Sequence, residues 1–211
     1  MKNMMREWKA FLQERTTLPV ALAAISSTKK GQPILTKSKS LDADSTSMDS
    51  LNPEFAKKVL KVQAALRSLG YRTKLVTAYR TPASQLKKYK QGKSKVKFGK
   101  HNAVRKDGNK IVPASLAADL IWNNAKKGAY KNTPENIKYY KVLGEVAKKE
   151  GLRWGGDFAK STPALAKFGI GWDPTHIEAR VSLKKIASDY KDLVARATLM
   201  NQLKPDTQDK A

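Results

Sequence analysis

"SLAADLIW", residues 115–122, is an apolar run interrupted by one carboxylate, Asp119. The run is too short for a typical helix, and its apolar continuity reads as a buried strand. Asp119 sits within it between Ala118 and Leu120. A carboxylate buried alone is costly, so Asp119 requires a partner. A metal ion is one such partner; a Lys or Arg side chain is another, and the chain has many of both.

The neighbouring segments bear on that choice. Upstream, "HNAVRKDGNKIVPASLAAD" (101–119) opens on His101. Within it, Val104-Arg105-Lys106, then Asp107-Gly108, then Lys110-Ile111-Val112 carry the pattern of a β-hairpin. Closing that hairpin returns the chain to its start and brings Asp119 towards His101. Downstream, "GWDPTHIEAR" (171–180) contains His176, with Asp173 three residues before it and Glu178 two after it. His101 and His176 are the only histidines in the chain. Two imidazoles and one carboxylate form a three-ligand set for zinc, with the fourth position left to water, as in catalytic sites. Asp173, one tight turn before His176, is placed to act as general base. Each residue taken alone also has a plainer reading. A lone histidine near a turn is commonly exposed or hydrogen-bonded, and a buried Asp is commonly a cap or an ion-pair member.

The rest of the chain places these residues on elements. Pro53 suits a helix start and Gly70 its end, with Phe55, Val59, Val62, Leu66 and Leu69 forming one apolar stripe. "TKLVTAYR" (73–80) reads as a strand. "TPASQLKKYKQG" (81–92) reads as a helix with Thr81 as cap and Pro82 at its first position. "TPENIKYYKVLGEVAKKEG" (133–151) repeats that pattern. "LRWGGD" (152–157) reads as a short strand into a turn, "THIEARV" (175–181) as a strand, and 182–198 as a final amphipathic helix. Strands and helices alternate without regular βαβ spacing, which predicts an α+β fold. Four regions follow: a helical leader or appendage at 1–26, a polar linker at 27–52, a domain at 53–200 and a polar tail at 201–211.

Forty-two Lys and Arg against 18 Asp and Glu give a net charge of +24. Residues 55–110 hold 17 basic residues and a single acid, Asp107. Such a field attracts polyanions, whether nucleic acid, anionic lipid or a bacterial envelope. With no cysteine, disulfides and thiolate metal sites are excluded. No apolar run approaches the length of a transmembrane segment. Residues 18–26, "LPVALAAIS", have a signal-peptide flavour, but Glu7 and Glu14 precede them, and cleavable export is not expected.

The order His101, strand-embedded Asp119, then Asp173-x-x-His176 resembles that of the zinc D,D- and L,D-peptidases of the VanY and L-alanyl-D-glutamate endopeptidase type, which include many phage endolysins. The family pattern is Ser-x-His, then a small residue, x, Ala, x, Asp, and later Asp or Glu-x-x-His before an apolar residue and Glu. This chain offers Gly99-Lys100-His101, Ser115-Leu116-Ala117-Ala118-Asp119 and Asp173-Pro174-Thr175-His176-Ile177-Glu178. "AYRTPASQLKKYKQGKSK" (78–95) and "LRWGGDF" (152–158) match two further motifs, and the likeness spans 53–181. It implies a hedgehog/D,D-peptidase-like fold, a small antiparallel sheet with flanking helices. It implies Zn2+ held by His101, Asp119 and His176, with Asp173 as base.

By position, the resemblance also puts Arg80 in the cleft, where a guanidinium can stabilise an oxyanion. It gives Gln85 and Ser115 to substrate, and Glu178 to support of a ligand from behind. Plainer alternatives are an ion pair for Arg80, an exposed helix position for Gln85 and a small residue admitting a close backbone for Ser115. Gly99 replaces the family Ser, the hairpin lengthens the motif, and Thr175 and Ile177 replace a common Pro and Phe. These departures leave the ligand set intact and bear on substrate choice.

The implied substrate is bacterial peptidoglycan, at the L-Ala–D-Glu bond or, alternatively, D-Ala–D-Ala. The lysine run "KKYKQGKSKVKFGK" (87–100) suits substrate carboxylates or an anionic cell envelope, or is a solvated basic face. The implied setting is a monomeric phage lysin or virion-associated enzyme, made in the host cytoplasm and acting on the cell wall. The rival reading, a basic nucleic-acid-binding or virion structural protein, rests on charge alone. No DNA-reading motif is present, and aromatics are not interleaved with the basic run, so no specific nucleic acid is expected.

Overall fold

Four of the five α-helices among the described residues begin in a common way, a polar residue followed by proline. The computed structural model describes residues 40–108, 110–123, 132–159 and 162–202. Asn52 caps α1 (Pro53–Ser68), its side chain accepting from the N–H groups of Glu54 and Phe55. Thr81 caps α2 (Pro82–Lys90) through Ser84 N–H, and Thr133 caps α3 (Pro134–Lys149) through Asn136 N–H. Proline costs nothing at these first positions, where the N–H would lack an intrahelical partner. A short α4 (Pro163–Ala166) and a terminal α5 (Leu183–Gln202) complete the helices among the described residues.

Among the described residues six strands form two sheets: β1 (Thr73–Thr77), β2 (Val104–Asp107), β3 (Lys110–Pro113), β4 (Ala117–Trp122), β5 (Arg153–Trp154) and β6 (His176–Glu178). β2 and β3 make the expected hairpin, with Gly108 at φ +57°. The other four make an antiparallel sheet in the order β1-β4-β6-β5. The fold is α+β with a small antiparallel sheet and flanking helices. The hairpin returns the chain as expected: Ala114 N–H bonds Ala103 O at 2.8 Å, and Leu116 N–H bonds Lys100 O at 3.0 Å.

Alternation along β4 sends Ala118 and Leu120 into the core and leaves Asp119 on the opposite face. The core joins Leu75, Ala118, Leu120 and Ile177 of the sheet to Phe55, Val59, Val62 and Leu66 of α1 and to Tyr139, Leu143 and Ala147 of α3. Each fully buried Leu, Val or Phe contributes about 1.5–3 kcal/mol, an upper bound set by an extended unfolded chain. No helix among the described residues is long and apolar enough to cross a membrane.

Several expectations shift. The strand read at 73–80 ends at Thr77, because residues 78–80 leave the sheet to bond other segments. The strand read at 175–181 is confined to His176–Glu178. The final helix runs to Gln202, past the expected domain limit at 200. The leader at 1–26, residues 27–39 of the expected linker and residues 203–211 of the tail lie outside the described residues. The rest of that linker is folded: Ser45, Ser50 and Leu51 are buried, and Leu51 bridges Ser115. Its buried serines serve backbone pairing and capping, while Asp42, Asp44, Thr46 and Asp49 stay exposed.

Gly144, inside α3, faces the indole of Trp154. A Cβ there would lie 2.5 Å from the ring carbons. At an exposed helix position Gly→Ala stabilises by roughly 0.5–1 kcal/mol. Here the sign reverses, and Gly144→Ala is expected to destabilise by about 1–3 kcal/mol through overpacking. Urea denaturation checks this; an unchanged or raised midpoint contradicts it.

Candidate metal centre

The register of β4 against β6 sets the centre. Asp119 pairs with His176, and Ala117 with Glu178. Paired residues share a face, and residues two apart on a strand share it too. Asp119, His176 and Glu178 therefore stand on one side of the sheet. His101 reaches them from a single 3-10 turn, Lys100–Asn102, just before the hairpin.

Each imidazole is oriented by its far nitrogen. His101 Nδ1 lies 2.6 Å from Ala78 O, and a carbonyl only accepts, so Nδ1 carries the proton. In the neutral ring His101 Nε2 is then the lone-pair donor. It is buried, has no hydrogen-bond partner among the described residues and lies 3.5 Å from Asp119 Oδ1. His176 Nε2 lies 3.2 Å from Glu178 Oε2, and its Nδ1 lies 3.0 Å from Asp119 Oδ1. One ligand atom each from His101, Asp119 and His176 fall within 4.8 Å of one another. An orphaned buried lone pair beside a carboxylate and a second imidazole fits a divalent cation, and the N2O donor set suits zinc.

The electrostatics show what a cation does there. Burial alone would raise Asp119, but His101 and then His176 outweigh it and hold the carboxyl well below its usual range. Burial alone would lower His176, but its bonds to Asp119 and Glu178, with the nearby charge of Asp173, push it up to about 10. In the metal-free chain a proton on His176 supplies positive charge that a metal would otherwise bring. Asp173 Oδ2 stands 3.9 Å from His176 Nδ1. Its pKa is raised, mainly by burial and further by Asp119, against the pull of His176, His101 and Arg80. The backbone closes this turn, with His176 N–H on Asp173 O at 3.1 Å. Gly155 permits the approach, since a Cβ there would collide with Asp173 O and come within 2.9 Å of His176 Cβ.

Arg80 also reaches the centre. Its Nη2 is 3.7 Å from Asp119 Oδ2, Nη1 donates to Gln85 Oε1 at 2.7 Å, and Nε has no partner among the described residues. These residues line a cleft of about 910 Å³, with Lys88, Lys93 and Lys95, and with Phe158, Trp172 and Leu165. Two expectations change. Gln85, read as a substrate contact, is 2% exposed, and its amide is used by Arg80, Ser94 and Val96. Ser115, also read as a substrate contact, is fully buried, and its hydroxyl donates to Ala117 O at 2.7 Å. It supports the backbone before β4, as the small-residue alternative holds. Glu178 accepts from Lys100 Nζ at 2.8 Å and Arg153 Nη1 at 2.9 Å besides meeting His176.

Sequence reading passed over three supports. Lys100 is buried and pins Glu178, yet in sequence it is one more lysine of a basic run. Asn102 holds Arg80 O and Gly99 N–H. Trp154 Nε1 donates to Pro174 O at 2.8 Å and so fixes the turn that carries Asp173. The quoted "LRWGGDF" contained the signal for Trp154; no local pattern marks the other two.

No protein-family model matches the chain, and no curated protein matches it. Solved structures similar to it include the following three. One is the Serratia marcescens L-Ala D-Glu endopeptidase ChiX, at 16% identity and TM-score 0.41, over 63% of this chain and 82% of that one. The second is a variant of the vancomycin resistance D,D-pentapeptidase VanY from the VanB-type cassette, in complex with Zn(II). It stands at 14% identity and TM-score 0.37, over 66% of this chain and 78% of that one. The third is VanYB in complex with D-alanine-D-alanine, at 14% identity and TM-score 0.35, over 74% and 84%. Likeness this distant carries no argument about chemistry, which rests on the residues themselves.

Two outcomes are expected. The purified chain takes up about one zinc, and Asp119→Ala loses it; elemental analysis with zinc still bound to the variant contradicts the ligand set. In the metal-free chain, burial would raise Glu178, but His176 and Lys100 lower it from 4.5 to about 2. A depressed carboxyl contributes stability that is whole above its unfolded pKa and lost as pH falls through its folded one. Stability should therefore fall between about pH 4.5 and 2, and Glu178→Gln should flatten that limb in denaturation measured across pH. An unchanged acid limb contradicts the assignment.

Proposed function

We propose that this chain is a zinc-dependent peptidase that hydrolyses bacterial peptidoglycan stem peptides, with the L-alanyl-D-glutamate bond as its target. The observation that carries the reading is the buried Nε2 of His101, without a hydrogen-bond partner among the described residues, converging with Asp119 and with Nδ1 of His176. The peptidase motifs in the sequence, in their order, support the substrate class.

His101, Asp119 and His176 would hold the ion, and Glu178 would fix His176 so that Nδ1 faces it. Zinc, when bound, makes water acidic and polarises a carbonyl. Asp173 takes a proton from the attacking water at its carboxylate and returns it to the leaving amine. Its raised pKa suits a group that must both accept and release a proton. Arg80 brings positive charge to the carbonyl oxygen as it becomes an oxyanion. Gln85 holds that guanidinium in place. Lys88, Lys93 and Lys95 on the cleft wall attract the carboxylates of a stem peptide, while Phe158 and Trp172 offer apolar contact.

The proposal extends to a monomeric, phage-type enzyme made in a host cytoplasm and acting on the cell wall.

Mass spectrometry of purified peptidoglycan digested by the wild type and by Asp173→Ala tests the reading. New termini at L-Ala–D-Glu are expected from the wild type. The variant should lose at least about 100-fold in rate while keeping its zinc. Released D-alanine instead would assign the D-alanyl-D-alanine bond. Intact peptidoglycan after wild-type digestion, or full activity in Asp173→Ala, contradicts the mechanism.

A further inference from the structure

Residues 41–52 bind the two backbone segments that present the candidate ligands. Ala78 N–H donates to Ser45 O, and Ser45 N–H donates to Tyr79 O, both at 2.8 Å. On their other side, residues 78–80 are bonded to the His101 turn. Ala78 O takes the Nδ1–H of His101, Arg80 N–H donates to His101 O at 3.0 Å, and Asn102 holds Arg80 O. Residues 78–80 thus lie as a bridge between Ser45 and His101. Asp44 secures the end of that bridge: Oδ1 accepts from Thr81 N–H at 2.8 Å and Oδ2 from Ser84 Oγ at 2.6 Å.

Ser45 is itself locked, its Oγ accepting from Ser50 Oγ at 2.7 Å and from Ser47 N–H at 3.1 Å. The far end of the segment grips the approach to β4. Ser115 N–H donates to Ser50 O at 2.8 Å, and Asn52 N–H donates to Ser115 O at 2.9 Å. Ser115 lies four residues before Asp119.

We propose that residues 41–52 form a strap that positions the metal centre, with Asp44 and Ser45 setting the backbone that presents His101 and Arg80 to Asp119. The inference rests on the metal reading above. Neither Asp44 nor Ser45 lines the cleft, so both are positioning residues that act through Ala78, Tyr79 and the start of α2. Groups that orient metal ligands from outside commonly alter affinity by about 10–100-fold when removed. The strap holds the acceptor of the His101 Nδ1–H bond, so its loss lets Nε2 wander from Asp119.

The test measures Zn2+ affinity of the full chain by competition with a chelator in wild type, Asp44→Ala, Asp44→Asn, Ser45→Pro and Val62→Ala. Val62 is a fully buried residue of α1, ten residues beyond the end of the strap in sequence, and its truncation controls for lost stability alone. Asp44→Ala removes both acceptors, and Ser45→Pro removes the N–H to Tyr79 O. Each should weaken zinc binding about tenfold or more. Asp44→Asn keeps an oxygen for Thr81 N–H and should recover most of the loss. Val62→Ala should stay within about twofold of wild type even if its Tm falls further. The visible bands of the Co2+-loaded chain, which report ligand arrangement, should shift in the strap variants and not in Val62→Ala. If Ser45→Pro fails to fold, Asp44→Ala decides. Wild-type affinity in Asp44→Ala, or a loss no larger than that of Val62→Ala, overturns the strap alone. A wild type that binds no zinc overturns the metal reading and the strap with it.

Discussion

The pairing of β4 with β6 in one register is the constraint on which the site depends. Asp119 stands opposite His176 and places their side chains 3.0 Å apart at Oδ1 and Nδ1. Strand alternation makes this all-or-none: a slip by one residue would turn Asp119 into the core and bring Ala118 or Leu120 to its place. The apolar residues on the other face forbid that slip, so the packing of Ala118, Leu120 and Ile177 secures the chemistry by securing the register. Glu178 comes to the same face without further instruction, being two residues beyond His176. His101 is the one candidate ligand from outside the sheet, and the hairpin delivers it.

A second theme is local charge. The chain as a whole is strongly basic, yet Asp119, Asp173 and Glu178 converge on one cleft, against Arg80, Lys100, Arg153 and two imidazoles. A carboxylate can be buried there because each has a charged or imidazole neighbour, which offsets the cost of desolvation. The arrangement sorts the acids. Asp119 is held strongly ionised, whereas Asp173 is raised and suited to proton transfer. Two aspartates of identical chemistry thereby acquire different properties from their surroundings. Around them, Lys88, Lys93 and Lys95 keep the cleft wall attractive to anions.

Much of this was legible in the sequence, for identifiable reasons. Helices announced themselves through Asn52-Pro53, Thr81-Pro82 and Thr133-Pro134, where cap and proline give the start. The hairpin was legible from Asp107-Gly108, and Asp119 stood out because its neighbours are apolar. What was not legible depended on long-range pairing. Residues 41–52 are polar and looked like linker, but their backbone bonds to Ala78, Tyr79 and Ser115 have no local signature. Gln85 and Ser115 were read as substrate contacts from position in a motif; the nearby Arg80, Ser94 and Val96 take up the Gln85 amide, and the backbone of Ser50 and Asn52 covers Ser115. Lys100 was invisible for the opposite reason: nothing in the sequence distinguishes one buried lysine in a run of exposed ones.

The central claim is that His101, Asp119 and His176 together hold one metal ion. Anomalous diffraction at the zinc edge from crystals of the zinc-loaded chain tests it most directly. A single strong peak in contact with His101 Nε2, His176 Nδ1 and an Asp119 carboxylate oxygen is expected. A peak elsewhere, a peak touching only one of the three residues, or no peak at all would contradict it.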